Sequence, residues 1–266
     1  MYQHHKDSLE KMIQYFTEID PKKDEIIAIV FGGSVAKGCE RPDSDLDAMI
    51  ILTDSMYETL REQRRTAECI HGYCTYPEGY FDIKYYNKEF LWEVAQKGSE
   101  PARNAFLKAR CVYTKDPEIP GLVEQISRFP VEEQEDKMLS LYAAFRINTG
   151  YFWNMSHEDV FLRTKAVTEI VLYGLRMLLE ENQVLFPCPK SLYKAVRSLE
   201  HKPEGILEKA DALLIRKDDE SKADFVNTLM DFLDYEPPAD QYLALSRYVE
   251  DNELWWKNPR PLVAEW

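Results

Sequence analysis

The sequence predicts an α+β (α/β) architecture, in which a mixed sheet flanked by helices is followed by an all-α helical bundle. Up to about residue 130, short apolar segments typical of strands alternate with segments of helical apolar period. After Phe129-Pro130 no alternating segment follows, and the helical period continues towards the C-terminus. We therefore expect two domains, comprising residues 1–130 and 131–266.

The first domain is expected to combine four strands with four helices. Residues 7–19 carry apolar side chains at near-helical spacing and end before Asp20-Pro21, which predicts an opening helix. Short apolar or alternating segments predict strands at 26–31, 48–52, 79–86 and 110–114. Helical spacing predicts further helices at about 56–70, 89–96 and 102–109. In the third strand, alternation places Asp82 on the face opposite Phe81 and Ile83.

The second domain is expected to hold about six helices, enough for a bundle. Each corresponds to a segment in which apolar residues recur at helical spacing. The segments are 132–153, 162–182, 190–199, 204–215, 224–235 and 241–256.

Charge and cysteine usage restrict the partners that the chain is expected to have. The 47 Asp and Glu outnumber the 33 Lys and Arg, so the net charge of -14 disfavours a long nucleic acid and would attract a small cationic acceptor. The longest apolar run, 26–31, is too short for a membrane span. The five scattered cysteines and the lack of a secretory signal at the N-terminus predict free thiols and a cytoplasmic location.

Glycines and carboxylates surround the first two predicted strands. Gly33 and Ser34 follow the first strand, where a tight turn brings backbone N–H groups and a hydroxyl within reach of a phosphate. Asp45 and Asp47 are two residues apart on extended chain and point to one side, as carboxylates sharing Mg²⁺ would. Asp82 completes the set if its strand lies beside the second one. Two metal ions roughly 3.5 to 4 Å apart would stabilise an in-line displacement at phosphorus.

Other interpretations of these residues are less consistent with the sequence. A glycine pair after a strand is commonly only a turn, and "DSDLD" alone is commonly a solvated loop or a helix cap. A calcium loop would need glycine at Ala48, and a P-loop would need Lys at Cys39. A zinc site at Cys69, His71 and Cys74 lacks standard spacing and a fourth ligand.

The "GGS" turn, the "DSDLD" segment about ten residues later and the lone aspartate on a later strand resemble the catalytic core of the DNA polymerase beta superfamily of nucleotidyltransferases. The resemblance covers about residues 25–90. It implies that Gly33 and Ser34 hold the triphosphate and that Asp45 and Asp47 bind magnesium. Asp82 would be the third carboxylate, which binds metal or helps deprotonate the acceptor. Lys37 stands where the family often has arginine and is a candidate phosphate contact.

The helical second domain is similar in architecture to that of the antibiotic nucleotidyltransferases, including kanamycin and streptomycin adenylyltransferases. That resemblance implies an acceptor pocket in residues 131–266, with Lys165 and Lys190 as candidate phosphate ligands and Glu169, four residues after Lys165, as a candidate base. In most helices a Lys–Glu pair at this spacing is an ordinary surface ion pair. A homodimer is also compatible with the resemblance.

The resemblance implies a magnesium-dependent enzyme that transfers a nucleoside monophosphate, AMP from ATP, to a hydroxyl of a small molecule and releases pyrophosphate. An antibiotic resembling an aminoglycoside is one acceptor of this kind. Two alternatives remain: nucleotidylation of a protein or RNA, and a nucleotide-sensing module that binds a triphosphate without transferring it. The negative net charge disfavours RNA, and the intact carboxylate set disfavours a module without catalysis.

Overall fold

The computed structural model describes residues 1–257, 262–264 and 266 of the chain. These residues form two compact units. The first comprises Met1–Gly98 and Ala102–Arg128, and the second comprises Ser99–Pro101 and Phe129–Trp266. Assignment of a catalytic role to 1–130 and of acceptor binding to 131–266 stays a prediction, because compactness does not assign a role.

The first unit is built on a five-stranded sheet with the strand order β3-β4-β2-β1-β5. The strands are β1 (Ile26–Phe31), β2 (Leu46–Leu52), β3 (Ala67–His71), β4 (Tyr80–Asn87) and β5 (Arg110–Thr114). The helices are α1 (Gln3–Gln14), α2 (Gly33–Lys37), α3 (Asp54–Glu62), α4 (Lys88–Lys97), α5 (Glu100–Ala105), whose first two residues belong to the second unit, and α6 (Ile119–Ile126). Strands β2 and β4 pair in parallel and the other neighbours pair antiparallel, which confirms the predicted mixed sheet.

The central strands are apolar because both of their faces are covered. In β1, Ile29 and Phe31 pack into the core on one side of the sheet, together with α1. Ala28 and Val30 pack on the other side, against α4 and α6. A strand buried on both faces needs no polar alternation, which explains the continuous apolar run of β1.

The predicted helix at 56–70 is wrong in its second half. Helix α3 ends at Glu62, Arg64 adopts a left-handed φ of 56°, and Ala67–His71 forms the edge strand β3. Strand β3 pairs antiparallel with β4, and most of its side chains are exposed. Hydrogen bonding of its backbone with β4, rather than burial of apolar side chains, therefore stabilises this strand. For this reason the sequence of β3 lacks the apolar alternation from which a strand is predicted.

The second unit is helical, as predicted. Its helices are α7 (Gln134–Ile147), α8 (Trp153–Met155), α9 (Val160–Glu181), α10 (Leu192–Arg197), α11 (Ile206–Arg216), α12 (Asp219–Met230) and α13 (Gln241–Tyr248). Helix α9 lies in the core, and Gly174 permits close packing there, because an added Cβ would lie 2.9 Å from Leu229 and 3.0 Å from Phe225. Across the described parts of both units, no helix has the length and apolar character that a bilayer span requires.

A buried charge network connects α5, α7 and α9 within the second unit. The Glu100 carboxylate lies 3.2 Å from Lys137 Nζ and 3.7 Å from Arg176 Nη2, and it accepts a 2.8 Å hydrogen bond from the Phe186 backbone N–H. Burial, and then the neighbouring Glu100 carboxylate, raise the pKa of Glu180 to about 9. Glu180 is therefore protonated at neutral pH and donates a hydrogen bond to the Glu100 carboxylate.

We predict that Glu180→Gln reduces the loss of stability that accompanies rising pH. Because the folded-state pKa of Glu180 lies above its ordinary value of 4.5, its contribution to stability is complete below that pH and is lost as the pH rises towards about 9. This group alone should lower the unfolding free energy by about 1.4 kcal/mol per pH unit in that window. Glutamine still donates to Glu100 but cannot ionise.

Urea unfolding at several pH values measures both slopes. Glu181→Gln is the control on the same helix, because its carboxylate accepts from the Asp234 backbone rather than from the network. Equal slopes in wild type and Glu180→Gln would contradict a protonated Glu180.

Candidate active site

The turn between β1 and α2 places the chain directly against the second strand. The Gly32 N–H donates to the Asp47 carbonyl at 3.0 Å. Gly33 adopts a φ of +68°, and a Cβ at this position would lie 1.7 Å from Asp47 Oδ2. Glycine is therefore required at residue 33 for two separate reasons, the left-handed backbone and the contact with a carboxylate.

Ser34 lies in the first turn of α2 rather than in an irregular loop. Its backbone N–H forms a hydrogen bond with the Asp47 carboxylate, and this bond favours the ionised form of that group. The segment that the sequence predicts to meet a phosphate thus already contacts one of the carboxylates. Gly33, Ser34 and Asp47 form one continuous site.

The three predicted carboxylates are brought together by the pairing of β2 with β4. In this parallel register Asp47 lies beside Asp82, and Asp45 directly precedes β2. Their ligand oxygens lie within 4.8 Å of one another, and all three residues are partly buried. No other group of three or more His, Cys, Asp or Glu in the described part of the chain is arranged to hold a metal ion, so the zinc alternative at Cys69, His71 and Cys74 has no structural support.

The electrostatics of the three carboxylates favour a bound cation. Burial, followed by repulsion from the Asp45 and Asp82 carboxylates, raises the pKa of Asp47 to about 6. The positive charge of Lys84 and the hydrogen bond from Ser34 act in the opposite direction. Three carboxylates that repel one another and offer only oxygen atoms fit the preference of Mg²⁺ for oxygen ligands.

Lys37 is held in place by a side chain that the sequence analysis did not identify. Its ammonium donates a 2.7 Å hydrogen bond to Asn104 Oδ1, and the Lys37 carbonyl accepts a 3.4 Å hydrogen bond from Lys108 Nζ. Lys37 follows Gly33 and Ser34 along the same short helix. Asn104 therefore orients the candidate phosphate contact.

The candidate residues of the second unit lie on its surface. Lys165 and Glu169 form the ion pair that their spacing predicts, and Lys165 is exposed. Lys190 lies in the single turn Pro189–Ser191 and is exposed. A role for these residues in phosphate or acceptor binding stays a prediction.

Two residues that the sequence analysis did not assign to the site flank Asp82 on β4. Tyr80 precedes it by two residues and forms a hydrogen bond with the Asp45 carboxylate, which raises the pKa of Tyr80 to about 12. Lys84 follows it by two residues and lowers the pKa of Asp47 through its charge. Strand alternation places Tyr80, Asp82 and Lys84 on one face, so period-two spacing was the signal available in the sequence.

We expect Gly33→Ala to destabilise the protein more than Gly38→Ala. Both glycines have a left-handed φ, which costs an alanine about 1 kcal/mol. A Cβ at Gly38 has no atom within 4 Å, whereas the one at Gly33 would overlap Asp47. The difference in unfolding free energy should exceed about 1 kcal/mol in chemical denaturation. Equal losses would show that residue 33 does not contact the carboxylate.

A second prediction concerns the repulsion among the carboxylates. Because the folded-state pKa of Asp47 lies above its usual 3.8, stability is lost as pH rises from that value through about 6. In metal-free protein at neutral pH, Asp47→Asn should therefore increase the unfolding free energy by about 3 kcal/mol. Asparagine can still accept from Ser34.

Asp43→Asn is the matched control, because Asp43 is an exposed residue of the same segment whose carboxylate pairs with Arg41 at 3.0 Å. This variant should not gain stability. Denaturation in the presence of a chelator measures both variants, and an Asp47→Asn variant no more stable than wild type would contradict the electrostatic interpretation.

Comparison with known proteins agrees with the site. Residues 9–97 match the family model described as a nucleotidyltransferase domain. No curated protein matches the sequence.

Among solved structures, a nucleotidyltransferase-like protein from Exiguobacterium sibiricum is similar with a TM-score of 0.44 and 10% identity, over 96% of this chain and 81% of the other. A spectinomycin adenyltransferase from Enterococcus faecialis, solved with ATP and spectinomycin, is similar with a TM-score of 0.34 and 13% identity, over 96% of this chain and 99% of the other. The family match confirms the predicted enzyme class: the chain carries a nucleotidyltransferase domain in residues 9–97.

Proposed function

We propose that this nucleotidyltransferase transfers AMP from ATP to a hydroxyl group of a small molecule, in a magnesium-dependent reaction that releases pyrophosphate. The observation that carries the proposal is the cluster of Asp45, Asp47 and Asp82, whose oxygens lie within 4.8 Å of one another beside the Gly33 turn. The choice of ATP and of a small acceptor rests on the resemblance of the sequence to antibiotic adenylyltransferases. The net charge of -14 adds a preference for a neutral or cationic acceptor over a polyanion.

The residues that would hold the metal are the three aspartates. When bound, Mg²⁺ supplies neutralisation of the charge on the triphosphate and on the oxygens that enter and leave at phosphorus. Asp45 and Asp47 are proposed as the shared ligands, since they are two residues apart and converge on one point. Asp82, which lies beside Asp47 in the sheet, completes the set.

The triphosphate is proposed to lie along the turn and the first residues of α2. Gly33 leaves space for close approach, and Ser34 contributes its hydroxyl. The Lys37 ammonium, oriented by Asn104, belongs to the same helix, three residues after Ser34. These residues act by orientation and by charge, which is the main contribution of a protein to phosphoryl-type transfer.

The reaction forms one bond and breaks one bond at the α-phosphorus. The acceptor hydroxyl oxygen bonds to that phosphorus while the bond to the bridging oxygen of the β-phosphate breaks, and pyrophosphate leaves with the bonding electrons. The hydroxyl proton is proposed to pass to a carboxylate oxygen of Asp82. Lys165 and Lys190 are proposed as phosphate contacts from the second unit, and a homodimer and a cytoplasmic location stay predictions.

Isothermal titration with ATP, GTP, CTP and UTP, each with and without Mg²⁺, tests the proposal. We expect ATP binding that requires Mg²⁺ and that is lost in Asp45→Asn/Asp47→Asn, because the variant lacks two of the three ligands. Asp43→Asn is the control for charge and should bind as wild type does. A pyrophosphate assay with hydroxyl-bearing acceptors then tests transfer.

The outcomes separate the alternatives. If pyrophosphate is released only when a protein or an RNA is present, the acceptor belongs to that class of macromolecule rather than to the small molecules. Binding without release under any acceptor would favour the nucleotide-sensing module. Binding that is equal with and without Mg²⁺, or unchanged in the double variant, would contradict the assignment of the carboxylates.

A further inference from the structure

Asp45 lies in a segment that the sheet does not hold. Strand β2 begins at Leu46, so Asp47 is fixed by pairing with β4, whereas Asp45 ends the loop that follows α2. A metal ligand on a loop needs support from neighbouring groups, because ligand geometry must be maintained within a few tenths of an ångström. The contacts of this loop therefore show what positions Asp45.

The loop is closed by its own hydrogen bonds and by one tyrosine. Arg41 and Ser44 form a turn in which the Ser44 N–H donates to the Arg41 carbonyl at 3.1 Å and the Arg41 N–H donates to Ser44 Oγ at 2.9 Å. The Tyr76 hydroxyl donates a 2.5 Å hydrogen bond to the Ser44 carbonyl. That carbonyl belongs to the peptide bond that connects Ser44 to Asp45, so Tyr76 fixes the peptide plane on which the Asp45 side chain depends.

A second tyrosine acts on the side chain itself. Tyr80 is the first residue of β4, two residues before Asp82 and on the same face of the strand, and the Asp82 and Asp45 oxygens lie within 4.8 Å of each other. In this position the Tyr80 hydroxyl forms a hydrogen bond with the Asp45 carboxylate. The backbone of Asp45 and its carboxylate are thus both connected to the segment that leads into the strand of the third aspartate.

Helix α1 packs against the ring of Tyr76. The His4 and His5 rings lie 4.7 and 5.1 Å from the Tyr76 ring, and His5 is fully buried. The His4 Nε2 forms a 2.9 Å hydrogen bond with the Pro42 carbonyl, so α1 contacts the loop of Asp45 directly. Gly79 completes the enclosure, since a Cβ there would lie 2.6 Å from the Tyr76 ring.

The same helix holds the segment that carries Tyr76. The Thr75 backbone N–H donates to Ser8 Oγ at 2.9 Å, and the Thr75 hydroxyl donates to the His4 carbonyl at 3.0 Å. Two residues of α1 thereby fix the residue immediately before Tyr76, so the backbone that leads to Tyr76 is anchored to this helix.

From these contacts we infer that Tyr76 and Tyr80 are positioning residues that hold Asp45 in the geometry of a metal ligand, and that α1 supports Tyr76 in this role. The inference rests on the proposed function, because Asp45 is a metal ligand only under that proposal. A purely structural role for Tyr76 would make Tyr76→Phe less stable without changing how the folded protein binds a divalent cation.

The experiment measures Mn²⁺ affinity by titration calorimetry in Tyr76→Phe and Tyr80→Phe, well below their unfolding temperatures. Each variant removes one hydroxyl and keeps the ring. We expect affinity to fall about 10-fold in each, as is usual when a group that orients a metal ligand is removed. Saturating Mn²⁺ should restore most of the turnover, because the chemistry of the three carboxylates is intact.

Tyr85→Phe is the matched control. Tyr85 is a fully buried tyrosine of the first unit, and its hydroxyl donates to Glu68 on the opposite face of the sheet from Asp82. Its affinity for Mn²⁺ should equal that of wild type even where its stability falls. Gly79→Ala should reproduce the effect of Tyr76→Phe, because it displaces the ring without altering any hydroxyl.

Two negative results have different meanings. Wild-type affinity in both tyrosine variants, with the wild type itself binding Mn²⁺, would overturn the positioning role and leave the proposed function intact. Failure of the wild type to bind Mn²⁺, alone or with ATP, would overturn the metal site and the positioning role with it. Equal losses in Tyr85→Phe would show a general effect of stability and would also overturn the inference.

Discussion

The parallel pairing of β2 with β4 is the interaction on which the candidate site depends. Asp47 and Asp82 are far apart in the chain, and the register of these strands places them side by side. A slip of one residue would send one of the two carboxylates to the opposite face, into the apolar core. The apolar residues between the polar ones, Phe81 and Ile83 in β4, prevent that slip because they are fully buried.

The site also shows how a fold supports an arrangement that is unfavourable by itself. Asp47 is partly removed from water and lies beside two further carboxylates, which raises its pKa. The sheet tolerates this because both faces of its centre are packed with apolar side chains, and their burial stabilises the domain independently of the carboxylates. Functional sites commonly contain charged groups that repel one another, because these groups are placed to bind a ligand rather than to stabilise the fold. The apolar core supplies the stability that such a site lacks.

Prediction of secondary structure from the sequence succeeded where the residues of a single segment were sufficient to indicate its structure. Strands β1 and β5 occur at the predicted residues, since each is a short apolar run bounded by charged residues or turns. Prediction failed for β3, whose exposed side chains offer no apolar alternation and whose backbone pairs with β4. The contact of Lys37 with Asn104 and the contact of Tyr76 with Ser44 were not predicted for the same reason, since each joins residues distant in sequence.

By itself, the sequence determined the residue types and the local spacings: a glycine pair after an apolar strand, two aspartates on alternate positions, and a third aspartate on the polar face of a later strand. These follow from short-range chemistry and from the period of a strand. Only the tertiary structure decided that Gly33 lies against Asp47, that Asp82 completes the cluster and that two tyrosines hold Asp45. Such contacts arise from strand order and register, which depend on how the whole domain buries its apolar surface.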